Sequence, residues 1–365
     1  EMKLKKVTLG KNVKVIKDSA FGHCHNLEEV VMNEGLETLE RAVFAYCNLK
    51  ELILPETITF IGMFACPIVE DEFNSLPKSN PNLKQVVVRA DDPSKIKFDY
   101  IKDVFYYFQQ SSDGQSREVM PPNPKKVYLW VPTGKGSKYL NAETWKDLIC
   151  IEMDMPQTML LAVGDTYDQM AAKVLDPQSD QYIDWTVDDN EIATAVPGQP
   201  EAEHPYYKTC DGKALSTGIT TITATLYAQD GTPLTSCECI VTVVDMDAPP
   251  ALLLPENQSY TFADHTAVDW PDGIPEGATV EYTLTDDDGL TMSTDGTGTV
   301  TALAGAAATA GHGTMVIELK DPDGKVLATR ECVITVTAEG GIITGIDTID
   351  SDNTAAEQYF TLQGI

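Results

Sequence analysis

Positive charge is scarce in this chain, and beyond residue 156 it nearly vanishes. The 365 residues carry 26 Lys+Arg against 56 Asp+Glu, a net charge of −30. Residues 1–156 hold 20 Lys+Arg and 22 Asp+Glu, whereas the remaining 209 hold 6 and 34. So acidic a surface repels phosphate backbones and anionic lipid heads, which sets aside nucleic acid and bare membrane as partners. Long apolar runs are missing too. No stretch of 18 or more apolar residues exists, so direct membrane insertion by a helix is not expected. The opening "EMKLKKVTLG" lacks the apolar core of a signal peptide, so no such peptide is present in this sequence.

Chemistry-bearing motifs are equally absent. There are five histidines, with no His-Glu-x-x-His, no Gly-x-Ser-x-Gly and no phosphate-binding loop. "GHCH" at 22–25 reads as a turn with surface histidines, because the next repeat has "AYC" there. "TDDDG" (285–289) and "DPDG" (321–324) read as hairpin turns, since neither continues with the ligands of a calcium loop. Eight cysteines contain no Cys-x-x-Cys pair, and Cys237 and Cys239 have no second pair or nearby His, which disfavours zinc. The expectation is therefore no catalytic residues, no cofactor, no metal and no enzyme.

What is there is repetition. "LKKVTLGKNVKVIKDSAFGHCHN" from Leu4 is echoed from Leu27 and again from Leu49. Leu4, Leu27 and Leu49 correspond, as do Val7, Val30 and Leu52, and then Ile16, Leu39 and Ile61. A fixed period of this length indicates stacked units, since no single unit can bury its own apolar face. The Leu-x-x-Val/Leu-x-Leu/Met core predicts a short strand per unit. Each unit also carries a turn Phe (Phe21, Phe44, Phe64) followed by Cys24, Cys47 or Cys66, read as a buried ladder. A degraded unit follows, with Leu83, Val86 and Val88 in its strand and Phe105 in its turn. Residues 67–82 and 109–124 read as loops.

These repeats resemble the BspA-like leucine-rich repeats of bacterial surface proteins. "KKVYLWVPTGKGSKYLNAETWKDLICIE" resembles that family's closing segment, with Asn141 as N-cap of a Trp-Lys-Asp helix and Trp145 lying over the last repeat. From Leu160 the pattern becomes short alternating strands. "AVGD", "IDWTVDDNEIATAV", "GITTITATL" and "IVTVV" together resemble the group 2 bacterial Ig-like domain, with Trp185 at its core aromatic and an over-long loop at 196–213. A fainter copy follows, with Tyr282 in place of Trp185 and Cys332 over Cys239. Both cysteines alternate in phase with Val and Ile, so they point inward without a disulfide partner. Pro249 and Pro250 stiffen the connection between the copies.

The expected fold is mainly β and multidomain: a leucine-rich-repeat solenoid with a C-terminal cap (1–156), two Ig-like β-sandwiches (157–246 and 247–338), and a flexible tail (339–365). The tail resembles the start of the sorting segments of exported bacterial surface proteins. On each solenoid strand one side chain faces away from the stack, giving a candidate binding face of Thr8, Val31, Ile53, Val87 and Trp130, with Tyr128 nearby. The resemblance implies a secreted or cell-surface bacterial adhesion protein that binds a host or bacterial surface protein or glycan, with the sandwiches as spacer. An accessory glycan-binding module of a polysaccharide-processing system is the alternative.

Overall fold

The computed structural model describes residues 3–69, 78–99, 104–105, 107–110, 117–120, 127–146, 148–175, 181–198, 207–341 and 344–346. The chain opens with β1 (Lys6–Thr8), β2 (Val15–Ile16), β3 (Glu29–Val31), β4 (Thr38–Leu39), β5 (Glu51–Leu54), β6 (Phe60–Ile61), β7 (Gln85–Val88) and β8 (Lys97–Phe98). Repeats that step by translation bring like strands side by side and parallel. Val7 lies opposite Val30 and Leu52 opposite Val86, while Ile16, Leu39, Ile61 and Phe98 form a second parallel ladder. Alternation sends Leu52, Leu54, Val86 and Val88 into one core with Leu27, Leu36, Leu49 and Ile58 from the turns.

The turn column differs from the expected Phe ladder. Phe21 stacks on Phe44, with ring centroids 5.8 Å apart. The next residue in that column is Cys66, followed by Phe105. The amides of Phe21, Phe44 and Cys66 donate in turn to the carbonyls of Val43, Ala65 and Val104. Phe64 stands in the column of Ser19 and Ala42, and all three have left-handed φ of 55–57°. The second repeat step is one residue shorter than the first, so the smaller Cys66 fills the Phe place.

The loop readings are only partly met. Residues 70–77 lie outside the described residues, but Val69 bridges Ser79, and Asn80 is fully buried. Of 109–124, residues 111–116 and 121–124 lie outside the described residues, but β9 (Tyr107–Gln110) pairs antiparallel with β10 (Arg117–Met120), so the described part is strand.

Next come β11 (Tyr128–Pro132), α1 (Gly136–Leu140) and β12 (Ile149–Asp154). The helix precedes Asn141, which is its C-cap, and residues 142–146, expected to open a Trp-Lys-Asp helix with Asn141 as N-cap, are bend and turn. Trp145 is fully buried, and Phe98, Phe105 and Tyr139 pack edgewise on its ring. The Tyr139 hydroxyl donates to the Ala90 carbonyl at 2.6 Å.

The remaining strands are β13 (Thr158–Ala162), β14 (Thr166–Val174), β15 (Tyr182–Val187), β16 (Val196–Pro197), β17 (Tyr207–Lys213), β18 (Gly218–Tyr227) and β19 (Pro233–Asp247), then β20 (Ala251–Pro255), β21 (Ser259–Thr261), β22 (Ala267–Asp269), β23 (Thr279–Asp288), β24 (Leu290–Met292), β25 (Thr299–Ala302), β26 (His312–Lys320), β27 (Val326–Thr337) and β28 (Thr344–Ile346). Two sheets share one plan. The order β13-β19-β18-β15 repeats as β20-β27-β26-β23, each with a parallel first pair and antiparallel others. The register confirms the internal match. Cys239, Ile222 and Val187 form one row, and Cys332, Met315 and Leu284 form its counterpart. Trp185 and Tyr282 each sit two positions before their row; Trp185 is buried and Tyr282 half-buried.

The opposing sheets differ. The second copy has only β21-β25-β24, whereas the first uses a seven-stranded sheet, β16-β17-β14-β12-β11-β7-β5. That sheet begins in the repeats. β5, β7, β11 and β12 run parallel, and β14 then pairs antiparallel with β12, Ile151 opposite Val174. The boundary drawn at 156 thus lies between strands whose side chains share one apolar cluster. A second continuity joins the two sandwiches. β19 runs on until Met246 packs in the second core, and β22 pairs with its end. Of the expected tail, 342–343 and 347–365 lie outside the described residues, but Thr344–Ile346 pairs with β20 and is not free.

Candidate binding face

The candidate face spans the two-stranded sheet β1-β3 and the parallel strands of the seven-stranded sheet. Thr8 stands beside Val31, and Ile53 beside Val87, Trp130 and Ile151 in turn. Parity alone puts all of them on the side away from the repeat core, as the sequence predicts. Their burial is graded. Thr8 is exposed, Val31 and Ile53 are half-buried, and Val87 and Trp130 are 0% exposed. The expectation of an apolar strip open to solvent and ending in an aromatic is therefore corrected. Val87 and Trp130 pack with Ile151 and Met153 against Ile183, Trp185, Ala224 and Cys237 of the first sandwich, and Ile53 and Tyr128 border the same cluster. The strip is apolar because the second sandwich sheet covers it. The sequence held one signal for this, since Ile151 and Met153 extend the outward row beyond the cap.

The indole, hydroxyl and side-chain amide within the covered part are paired. Trp130 Nε1 donates to Thr235 Oγ1 at 3.2 Å, the Thr235 hydroxyl donates to Gln85 Oε1, and Gln85 Nε2 donates to Glu51 Oε2 at 2.7 Å. The relay ends on a carboxylate, where a hydrogen bond is strongest. Arg89 Nη1 donates to the Met155 carbonyl at 2.9 Å, and Cys237 Sγ lies 3.4 Å from Met153 Sδ.

At its open end the face is lined by charge. Lys6 pairs with Glu29 at 2.6 Å beside Thr8 and Val31. Partial desolvation, and then the carboxylates of Glu51, Asp188 and Glu29, hold the Glu238 carboxyl above its ordinary value. This corner is anionic.

All eight cysteines are free and buried. Desolvation pushes the Cys237 and Cys239 thiols up to about 12, the wrong direction for a nucleophile. His23 stacks on Tyr46, with centroids 4.5 Å apart and His25 at its edge. Asp321 Oδ1 accepts from the amides of Asp323 and Lys325, which makes "DPDG" a side-chain-closed turn. Among the described residues no group of three or more His, Cys, Asp or Glu is placed to hold a metal ion, and no helix is long and apolar enough to cross a membrane.

Residues 1–67 match the family model of the BspA type leucine rich repeat region, in 6 copies. No curated protein matches the chain. Among solved structures, an I-band fragment of titin aligns with 52% of this chain and 66% of its own length, at 11% identity and a TM-score of 0.26. Domains 5-6 of the S-layer protein SbsC align with 52% of this chain and 97% of theirs, at 16% identity and a TM-score of 0.20. The D00-D0 domain of intimin aligns with 51% of this chain and 99% of its own, at 12% identity and a TM-score of 0.28. The chain spans just under two thirds of the titin fragment. What is similar to a known family is the stack of repeats at the start of the chain, which contains the uncovered part of the face.

Proposed function

We propose that the protein is a non-enzymatic bacterial binding protein, secreted or displayed on the cell surface, which contacts a protein or glycan through the open end of the repeat face. The observation that carries this reading is the burial gradient. Thr8 is exposed and Val31 half-buried on the β1-β3 sheet, while the row beyond Ile53 is consumed by the sandwich. The match of residues 1–67 to a repeat family of this kind supports the surface setting. The sandwiches then do more than space the repeats from an anchor, because the first one holds the repeat sheet in a fixed pose.

The test is a pull-down from host matrix and mucus extracts with the whole chain, followed by the double change Thr8→Arg and Val31→Arg. These side chains point away from the repeat core, so the fold should survive while retention of the captured partner falls. Full retention by a folded double variant would move the function off this face.

An accessory glycan-binding role is the second reading. Tyr182 and Tyr227 stack at 5.3 Å with an interplanar angle of 17°, and Tyr182 is exposed. Flat aromatic pairs of this kind suit sugar faces. A glycan array should show binding that Tyr182→Ala abolishes if this reading holds.

A further inference from the structure

A groove of about 600 Å³ runs along the edge of the sheet where the parallel strands end, in the volume range of built ligand sites. It crosses from Glu34, just past β3, over Glu56 and Arg89 to Asp91, and on to Asp154 and Met155 at the end of β12. Neighbouring strands lie about 4.8 Å apart, so a path over four spacings is roughly 19 Å long, the length of about five or six extended residues. Buried Met153 and Met155 give it an adaptable apolar floor.

Its charge pattern is specific. One guanidinium, that of Arg89, sits among four carboxylates, yet among the described residues it makes no ion pair with any of them. Nη1 is fixed on the Met155 carbonyl, and Nη2 makes no hydrogen bond with a described residue. A guanidinium held in place with unused donors suits a carboxylate, which it binds in a fork. The flanking Glu34, Glu56, Asp91 and Asp154 suit cations. We propose that this groove docks an extended peptide segment of a partner protein, one that presents an Asp or Glu side chain to Arg89 with Lys or Arg on either side. The occupant follows from charge complementarity. A segment without the central carboxylate leaves Arg89 unanswered, and one without cations meets four like charges. The site is separate from the Thr8–Val31 face, so either can fail alone.

The probe is a fluorescent pentapeptide, Lys-Ala-Asp-Ala-Lys with both ends blocked, titrated by anisotropy against the full chain. A second peptide carries Asn for Asp. The acidic-centred peptide should bind roughly tenfold more tightly than the Asn peptide, as one charge-assisted fork warrants. Arg89→Gln should erase that preference. Glu56→Gln combined with Asp91→Asn should weaken both peptides and flatten the salt dependence. Both of these side chains are exposed, so that variant tests the groove even if the Arg89 variant does not fold. No saturable binding of either peptide, an Arg89→Gln protein that keeps the preference, or unchanged binding by the double variant would each overturn the proposal.

Discussion

Trp130 shows how one side chain can serve a purpose opposite to the one its position suggests. It points away from the repeat core and is nonetheless fully buried, with its indole nitrogen on Thr235. Trp130→Ala should cost about 3–5 kcal/mol, the range for removing a large buried aromatic, and urea titration of the full chain checks it. A loss under about 1 kcal/mol would mean that the ring is solvent-facing after all. The cysteines give a pH signature. Desolvation pushes the thiols of Cys47, Cys150, Cys237, Cys239 and Cys332 up to about 12 and that of Cys210 up to about 11, while an unfolded thiol ionises near 8.5. A raised folded pKa favours the neutral thiol. The stability it contributes is whole below the unfolded value and is lost as pH rises from there through the folded value. Stability read by urea titration should therefore hold between pH 7 and 8 and fall by pH 10, each thiol contributing a slope of up to about 1.4 kcal/mol per pH unit. A thiol reagent at pH 8 should find no reactive cysteine in the folded chain and eight once it is unfolded in urea. Native labelling of Cys237 or Cys239 would contradict the covered joint.

At the scale of elements, the stack depends on side chains that tie one repeat to the next. Asn80, buried with a left-handed φ of 44°, accepts from the Leu49 amide at 3.1 Å and donates to the carbonyls of Phe44 at 2.9 Å and Pro67 at 3.1 Å. Asn80→Ala should destabilise by about 3 kcal/mol, since it leaves buried backbone groups without partners. Retention of the parent melting temperature would show that those groups repair themselves. The strands themselves were legible, because the Leu and Val positions recur at a step that only stacking explains. The turn column follows the period of the repeat and not the residue type. The step of 22 that carries Leu27 to Leu49 also carries Phe44 to Cys66, whereas residue type alone points to Phe64. The period was the better guide, as the amide ladder through Val43, Ala65 and Val104 shows. The hairpin β9–β10 gave no signal, because its residues alternate weakly and lie in a Pro- and Ser-rich stretch.

At the scale of the molecule, the joint between repeats and sandwich was the part that the sequence hid. Parity puts Val31, Ile53, Val87 and Trp130 on one face; Ile53, Val87 and Trp130 lie in one register row, and Val31 sits on the β1-β3 sheet. What covers that face depends on β12 pairing with β14 and on β18 and β19 folding back over it, contacts between residues far apart in the chain. Local pattern does not encode such pairings, so an apolar strip read as a docking surface was an internal seam. Because β5, β7, β11 and β12 share one sheet with β14, β17 and β16, residues 1–156 and the first sandwich form one cooperative unit. The direct measurement is thermal unfolding of two fragments, 1–156 and 1–247, beside the full chain. Fragment 1–247 should melt in one cooperative transition, and 1–156, with Val87, Trp130, Ile151 and Met153 laid bare, should lose the transition or melt far lower. A 1–156 fragment that melts as cooperatively and at the same temperature as 1–247 would contradict it.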